Sequence, residues 1–459
     1  MNGSGSARPR RSGKPRPGSG PNRKRKPPPS KAPETARTVA LRALRRVTEQ
    51  GSYSNLTLAG ELARSGLDER DRHLAAELLY GTLRHLVPVD RAIRSVSTRS
   101  LRSIDIPALA VLRLGAYQLL YLRIPEHAAV SETVSLAGQR ERGFVNAVLR
   151  NLIRRPPSPA EGHDDAAISA RTGLAEWAVG ELRRVLPAEE VEPAAAGLAS
   201  QTDLSLRVNT CANTMDRVEA AFRDAGFDPV RGAHLPDDVL KVRTGTPAAL
   251  PGYADGWFAV QDEASVLVAA AVQAQPGERI LDACAAPGGK AAFLACAVGP
   301  EGRVVAADVR PARTALVRQS AGRLGVRLDT MAMDGARPAV RGGFDAVLVD
   351  APCSGFGAAR RRPELLWRPA KEDLAQLARL QASILTGVAP LVRPGGRMVY
   401  SVCTFPRAET DAVLRAFAAR CPEFEPADVP GPDGPAPVHR LWPHRHGTDG
   451  MFYAGFVRR

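Results

Sequence analysis

The sequence predicts a multidomain chain: an all-α domain, then a small α+β segment, then a doubly wound α/β domain built on a Rossmann-like sheet. Apolar residues recur at helical spacing from Glu34 to about Arg155, with little β-branched alternation. At Leu204 the texture changes to strand-like alternation. After Gln275, short apolar runs that end at polar or reactive residues alternate with helical stretches, the pattern of buried parallel strands between helices. At roughly 100–200 residues per domain, 459 residues accommodate about two to four such units.

The elements follow in order. Residues 1–33 are rich in Gly, Pro, Ser and basic side chains, include the run Arg23-Lys24-Arg25-Lys26, and offer almost nothing to bury. They predict a disordered basic tail. Such a tail is either a solubilising extension or a grip on polyanions, and composition favours neither. Residues 34–155 form the helical domain. Val39, Leu41, Leu44 and Val47 share one face, as do Leu74, Leu78, Leu79 and Leu83. Leu109, Leu112, Leu119, Leu120 and Leu122 continue the pattern. Pro156-Pro157-Ser158-Pro159 closes this domain as a stiff linker signal, and 156–200 is a helical linker segment around Trp177, Leu182 and Leu186. Residues 201–265 form the small α+β subdomain, with strands at 204–209, 239–242 and 258–260 and a helix at 215–225 stopped by Gly226. Residues 266–459 form the α/β domain, with strands at 279–282, 304–308, 346–350 and 397–402 and helices at 290–297, 312–324 and 371–392. No internal repeat is evident.

Composition excludes several classes. No apolar run approaches the ~18–20 residues of a membrane helix; the longest, 264–274, is Ala-rich and broken by Gln273. The basic N-terminus has no apolar region behind it, so it is not a secretory signal. Six scattered cysteines make no disulfide scaffold, and neither Cys-x-x-Cys nor zinc-type spacing occurs. Reduced thiols, a cytoplasmic location and no metal site are expected. The net charge of +15 is uneven. Residues 1–33 hold ten Lys or Arg and no acid, 34–155 hold nineteen basic and twelve acidic residues, and 156–459 hold thirty-four and thirty-six. The excess that would hold a polyanion therefore lies in the first third.

The strand Ile280-Leu281-Asp282 runs into Ala283-Cys284-Ala285-Ala286-Pro287-Gly288-Gly289-Lys290, and a helix follows. Paired glycines let a ligand approach the backbone closely, and the helix N-terminus offers free N–H groups. The loop is neither Gly-x-Gly-x-x-Gly nor a Walker-type phosphate loop. The next strand ends at Asp308, where a carboxylate can accept two ribose hydroxyls. The third ends near Asp334, within reach of an adenine amino group. One such aspartate is usually a helix cap; three at successive strand ends beside a glycine-rich turn predict a nucleoside-cofactor site.

Two cysteines end the following strands. Asp350-Ala351-Pro352-Cys353-Ser354-Gly355 closes the fourth, and Tyr400-Ser401-Val402-Cys403-Thr404-Phe405 the next. Both should point into the cofactor crevice. Cys211, Cys296 and Cys421 are expected to be small hydrophobes, and Cys284 a wall of the loop. Carbon 5 of a pyrimidine is too weak a nucleophile to take a methyl group unaided. A thiolate adding at carbon 6 makes carbon 5 enamine-like, a carboxyl group at N3 steadies the charge, and a base must remove the carbon-5 proton. The crevice offers a thiolate, a carboxyl group and a base.

The three segments resemble the motifs of the RNA cytosine-5 methyltransferases of the NOL/NSUN/Sun type. The resemblance implies a class I methyltransferase domain, with Cys403 as nucleophile and Cys353 assisting product release. It implies S-adenosylmethionine contacts at Cys284, Ala285, Ala286, Pro287, Gly288, Gly289, Lys290, Asp308, Asp334 and Asp350. Gln261-Asp262-Glu263-Ala264-Ser265 is similar to the family's Gln-Asp-x-x-Ser element. Asp71-Arg72 and Phe144-Val145-Asn146-Ala147-Val148-Leu149-Arg150 resemble segments of a NusB-type RNA-binding domain. That pairing of domains is similar to the Sun/Fmu (RsmB) group, which methylates one cytosine of small-subunit ribosomal RNA, position 967 in rRNA numbering. The chain departs from the family pattern at Val402, at Ala291 and at Pro363-Glu364-Leu365-Leu366-Trp367, and none of these removes a reacting group.

Small-subunit rRNA is thus the expected partner, with a target cytosine unstacked or flipped out. Arg360-Arg361-Arg362, close behind the Pro-Cys loop, is expected to touch phosphate, and Arg207 with Asn209 are weaker candidates. Nothing in the sequence demands more than a monomer. The same chemistry on tRNA or another rRNA cytosine is an alternative, and so is a non-catalytic RNA-binding assembly factor. A NAD-dependent dehydrogenase is disfavoured by the absent Gly-x-Gly-x-x-Gly and the two placed thiols.

Overall fold

The computed structural model describes residues 34–243, 246–368 and 371–459, so the basic tail expected at 1–33 lies outside the described residues. Seven helices build the first domain: α1 (Ala36–Gln50), α2 (Ser54–Arg64), α3 (Glu69–Arg84), α4 (Leu86–Val96), α5 (Ile106–Tyr121), α6 (Glu126–Ser135) and α7 (Arg142–Arg154). Helix α5 is apolar around most of its circumference, which makes it the helix that the others enclose. Its Val111, Leu112 and Leu114 are buried in one cluster with Leu44 of α1, Leu78 of α3 and Leu149 of α7. Helices α3 and α5 approach closely because Gly81 has no side chain: a Cβ there would lie 2.0 Å from the Tyr117 ring.

Helices α8 (Asp165–Thr172), α9 (Glu176–Arg183) and α10 (Ala188–Ala199) occupy the segment expected to be a linker. They do more than connect. Leu174, Val179, Leu182 and Leu198 share a buried cluster with Phe356, Leu366, Phe405 and Trp442 of the C-terminal domain, so the segment is packed core. The α+β subdomain comprises β1 (Leu204–Val208), α11 (Met215–Asp224), β2 (Val230–Arg231), β3 (Val239–Val242) and β4 (Phe258–Val260). Its sheet runs β2-β3-β1-β4, with β1 antiparallel to both β3 and β4. Val218 and Phe222 of α11 cover Leu206, Val208 and Phe258.

The C-terminal domain continues with α12 (Glu263–Ala270), β5 (Arg279–Asp282), α13 (Gly289–Val298), β6 (Arg303–Asp308), α14 (Pro311–Leu324), β7 (Asp329–Ala332) and β8 (Phe344–Asp350). It ends with α15 (Lys371–Val388), β9 (Val392–Val402), α16 (Asp411–Arg420), β10 (Phe424–Pro426), β11 (Val438–Leu441), α17 (Pro443–His446) and β12 (Met451–Arg458). The sheet order is β10-β12-β9-β8-β5-β6-β7, with β11 also paired to β12. Strands β5 to β9 are parallel to one another, whereas β12 runs antiparallel to β9, β10 and β11. Both sheet faces are covered: Val347 and Val349 enter one buried cluster, Ala346 and Leu348 the other. Strand order reverses on either side of β5, and ligands bind such sheets at the carboxyl ends beside that reversal. Among the described residues no helix is long and apolar enough to cross a membrane.

Candidate active site

The reversal point gathers the chemistry. Asp282 ends β5, Asp308 ends β6, Asp350 ends β8, and Cys403 follows β9. The loop between β5 and α13 is stapled to the strands beside it, with Ala283 N donating to Leu348 O (2.9 Å) and Ala285 N to Ala307 O (2.8 Å). Gly288 is left-handed (φ 109°), and a Cβ on Gly289 would stand 3.0 Å from Gln261 Oε1. Both positions therefore favour glycine. The loop walls a cavity of 290 Å³. Cys284, Ala285, Ala286, Pro287, Gly289 and Lys290 line it on one side, with Asp350 and Cys403 beside them. Gln261, Asp262, Ser265, Arg361 and Asp449 line the other.

Lys290 Nζ donates to Asp350 Oδ2 (2.7 Å), and Ser401 Oγ donates to Asp350 Oδ1 (2.8 Å). Burial works against the Lys290 charge, yet Asp350 raises its pKa overall. Asp282 is fully buried, and burial, with Asp350 adding to it, pushes its carboxyl up to about 7. Its Oδ2 has no donor. Cys284 is raised by burial and by Asp282, which makes it an unreactive wall.

The sulfurs of Cys353 and Cys403 are 3.3 Å apart. That contact lowers the Cys403 thiol and raises the Cys353 thiol well above its ordinary value. Burial and Asp350 oppose a charge at both sulfurs; Lys290 and Arg362 favour one at Cys403, and Glu409 opposes one at Cys353. Of the two sulfurs, Cys403 is thus the one whose thiolate is favoured.

Some expected site residues lie elsewhere. Asp308 is buried off the cavity, accepting from Arg310 N (3.1 Å) and facing Arg313 Nε (3.3 Å). Asp334 is exposed two residues past β7 and accepts from Ala336 N (2.9 Å), so here it caps a turn. Arg207 is 1% exposed: its Nε donates to Gln261 Oε1 (3.1 Å), and burial lowers its pKa to about 10. Burial removes it as a phosphate contact. Asn209 is buried too, donating to Gly256 O and Leu324 O at the seam between subdomain and α14. The Arg360-Arg361-Arg362 run is spent on protein partners. Arg360 donates to Gly447 O and Thr448 O (both 3.1 Å). Arg361 bridges Asp449 (2.9 Å) and Asp262. Arg362 faces Glu364 (3.5 Å) and stacks over Tyr53 (4.4 Å). The triplet staples domains together, which a charge count cannot distinguish from a solvated grip.

Sequence reasoning missed four groups. The burial of Asp282, named only as a strand end, and the buried carboxylates of Asp449 and Glu409 emerge from the packing alone. Asp449 is pushed up to about 7 by burial and by Asp262, against the pull of Arg361; the Gly447-Thr448-Asp449-Gly450 turn was the available signal. The fourth is Cys211 with Cys296, expected as separate reduced thiols. They form a disulfide between the turn after β1 and helix α13. Their separation of 85 residues hides the pair from any spacing rule.

Comparisons with known proteins agree with this geometry. The family model for 16S rRNA methyltransferase RsmB/F matches residues 269–457, and that for the NusB family matches 34–154. A ribosomal RNA small subunit methyltransferase B of Salmonella arizonae is 35% identical, over 92% of this chain and 98% of its own length. The crystal structure of PH0851 shares the fold with a TM-score of 0.78 at 24% identity, over 93% of this chain and all of that one. NSun6 from Pyrococcus horikoshii, solved with SFG, gives a TM-score of 0.56 at 20% identity, over 61% of this chain and 97% of that one.

Proposed function

This chain belongs to the RsmB/F family of 16S rRNA methyltransferases, and from that premise we propose that it methylates carbon 5 of one cytosine of small-subunit rRNA, of the position 967 type, through a covalent bond from Cys403 to carbon 6. The observation that carries this reading is the 3.3 Å Cys353–Cys403 pair at the edge of the loop cavity, a contact that lowers the Cys403 thiol.

S-adenosylmethionine is the methyl donor and, when bound, supplies an electrophilic methyl group. The residues suit it. The Gly288-Gly289 turn packs so closely on Val317 and Gln261 that a Cβ would displace the loop, and Asp282 Oδ2 is buried without a donor. The Cys284 to Lys290 loop, with Asp282 and Asp350 beside it, would hold it.

The chain's own steps follow from the electrostatics. The Cys403 thiolate forms the S–C6 bond, and the proton shared between Lys290 and Asp350 would be presented by that carboxyl to N3, where the charge develops, and taken back on elimination. Once that sulfur is bonded it carries no charge, so the largest cause that raised the Cys353 thiol is removed, while burial, Glu409 and Asp350 remain. Cys353 then releases its proton, which is the one the net reaction liberates. With the methyl group on carbon 5, Cys353 takes the carbon-5 proton and the S–C6 electron pair returns to Cys403. Both thiols end as they began. The NusB-type domain, which carries the net positive excess of the described residues, provides RNA affinity.

The test is bisulfite sequencing of total RNA from cells with and without the gene. Loss of one methylated cytosine in small-subunit rRNA, restored by the wild type and not by Cys403→Ala, is expected. Full methyl transfer by Cys403→Ala would refute the adduct. Loss confined to a tRNA cytosine would refute the substrate and leave the chemistry standing.

A further inference from the structure

We propose that Glu409 is a positioning residue that clamps the Cys353 loop to the Cys403 loop and so sets the rate at which the covalent adduct is resolved. This rests on the cysteine roles proposed above. Glu409 lies just before α16, touches neither sulfur by hydrogen bond, and is completely buried. A buried carboxylate is costly unless donors surround it. Here the donors come from the Pro-Cys loop and its neighbours. Ser354 N donates to Glu409 Oε1 (2.9 Å), Ser354 Oγ to Oε2 (2.5 Å) and Gln381 Nε2 to Oε1 (2.9 Å). The same Gln381 amide donates to Pro352 O (2.9 Å), and Tyr400 Oη donates to the Glu409 carbonyl (2.7 Å).

A hydroxyl has one proton, so the orientation of the chain is fixed. Ser354 spends its proton on Glu409 and must accept at 2.7 Å from Thr404. Thr404 follows Cys403 and Ser354 follows Cys353. The chain Thr404 to Ser354 to Glu409 thus joins the residue after one thiol to the residue after the other. Backbone pairing alone leaves a gap there. The β8–β9 register ends at Asp350 with Ser401, Ala351 N donates to Ser401 O, and the next backbone bond between these loops is Gly357 N to Cys403 O. Cys353 and Ser354 lie inside the gap, and Glu409 spans it.

The test uses the full-length protein and an RNA transcript carrying the target cytosine, with labelled S-adenosylmethionine in single turnover. Methylated RNA and RNA–protein adduct are resolved on denaturing gels. Displacing a reacting group by about 1 Å can cost 10²-fold. Glu409→Ala and Ser354→Ala should therefore form adduct near the wild-type rate and release it about 10- to 100-fold more slowly, so that methylated adduct accumulates. Ser354→Ala leaves the carboxylate in place and decides the matter if Glu409→Ala does not fold. A merely structural role would lower formation and release together, in proportion to folded protein, and that result overturns the proposal, as does wild-type release in both variants. Cys353→Ala is the control. If it traps adduct while the other two do not, the positioning role fails and the cysteine roles stand; if it traps none, the cysteine roles fail and this inference falls with them.

Discussion

Replacing Lys290 by Met removes a charge at nearly constant shape, and the consequences can be worked out from the geometry. The ammonium is 2.7 Å from Asp350 Oδ2, with side chains 11% and 30% exposed. At an effective dielectric constant of about 20, unit charges at that distance attract by about 6 kcal/mol before desolvation is counted. Removing one partner of a buried pair typically costs about 3–5 kcal/mol. Asp350 keeps the Ser401 hydrogen bond and some solvent, so the low end, about 3 kcal/mol, is expected. The loss also reaches Cys403, because Lys290 is one of two cations that favour its thiolate. The thiolate is the reactive form, so removing the cation raises the thiol pKa and moves the acidic limb of the pH–rate profile to higher pH. On that limb, about 1.4 kcal/mol of lost thiolate stabilisation means about tenfold less thiolate. Single-turnover methyl transfer at saturating cofactor, measured from pH 6 to 9, should fall about tenfold or more near pH 7 and recover in part at pH 9. A Lys290→Met enzyme with the wild-type acidic limb and an unchanged urea midpoint would refute both the ion pair's weight and the thiolate argument.

Other outcomes follow from the same geometry. Asp282 has a folded pKa of about 7 against an ordinary 3.8, so the native state binds the extra proton and this group's contribution to stability falls as pH rises from about 4 to 7. Asp282→Asn should raise the urea midpoint at pH 8 relative to wild type and leave it little changed at pH 4; the reverse order would exclude a buried, unpaired carboxylate. Glu364 is fully buried and accepts from Ser54 Oγ (2.6 Å) across the interface with the helical domain. Glu364→Ala leaves that hydroxyl unpaired and should cost about 1–3 kcal/mol in urea unfolding, whereas a null effect would mean the domains do not dock there. The Cys211–Cys296 bond closes 85 residues. Chain-entropy reasoning gives it about 4.6 kcal/mol, so dithiothreitol should lower the melting temperature of the wild type and leave that of Cys211→Ser unchanged.

Much of this architecture was legible because it rests on local pattern. The strands at 239–242, 258–260 and 279–282 appear at the bounds that apolar runs indicate, since each is a short buried segment between turn residues. Strands β10, β11 and β12 escaped notice: they are an antiparallel edge whose existence depends on β9 as a template. The cavity residues Cys284 to Lys290, Asp350 and Cys403 were legible because glycine spacing and strand ends are properties of the chain itself.

The sequence by itself determined the domain order, the loop at β5, the two thiols at neighbouring strand ends and the placement of net charge in the first third. These follow from periodicity, composition and residue type, which need no partner. Only the tertiary structure decided what individual charges do. Arg207 and Arg360 to Arg362 look identical to RNA-binding arginines in a linear string, yet burial and facing carboxylates turn them into struts. Asp282, Asp449 and Glu409 gain their properties from desolvation, and a 3.3 Å contact between residues 50 apart lowers the Cys403 thiol and raises that of Cys353. Desolvation and charge pairing depend on distance in space, and no spacing along the chain encodes that distance.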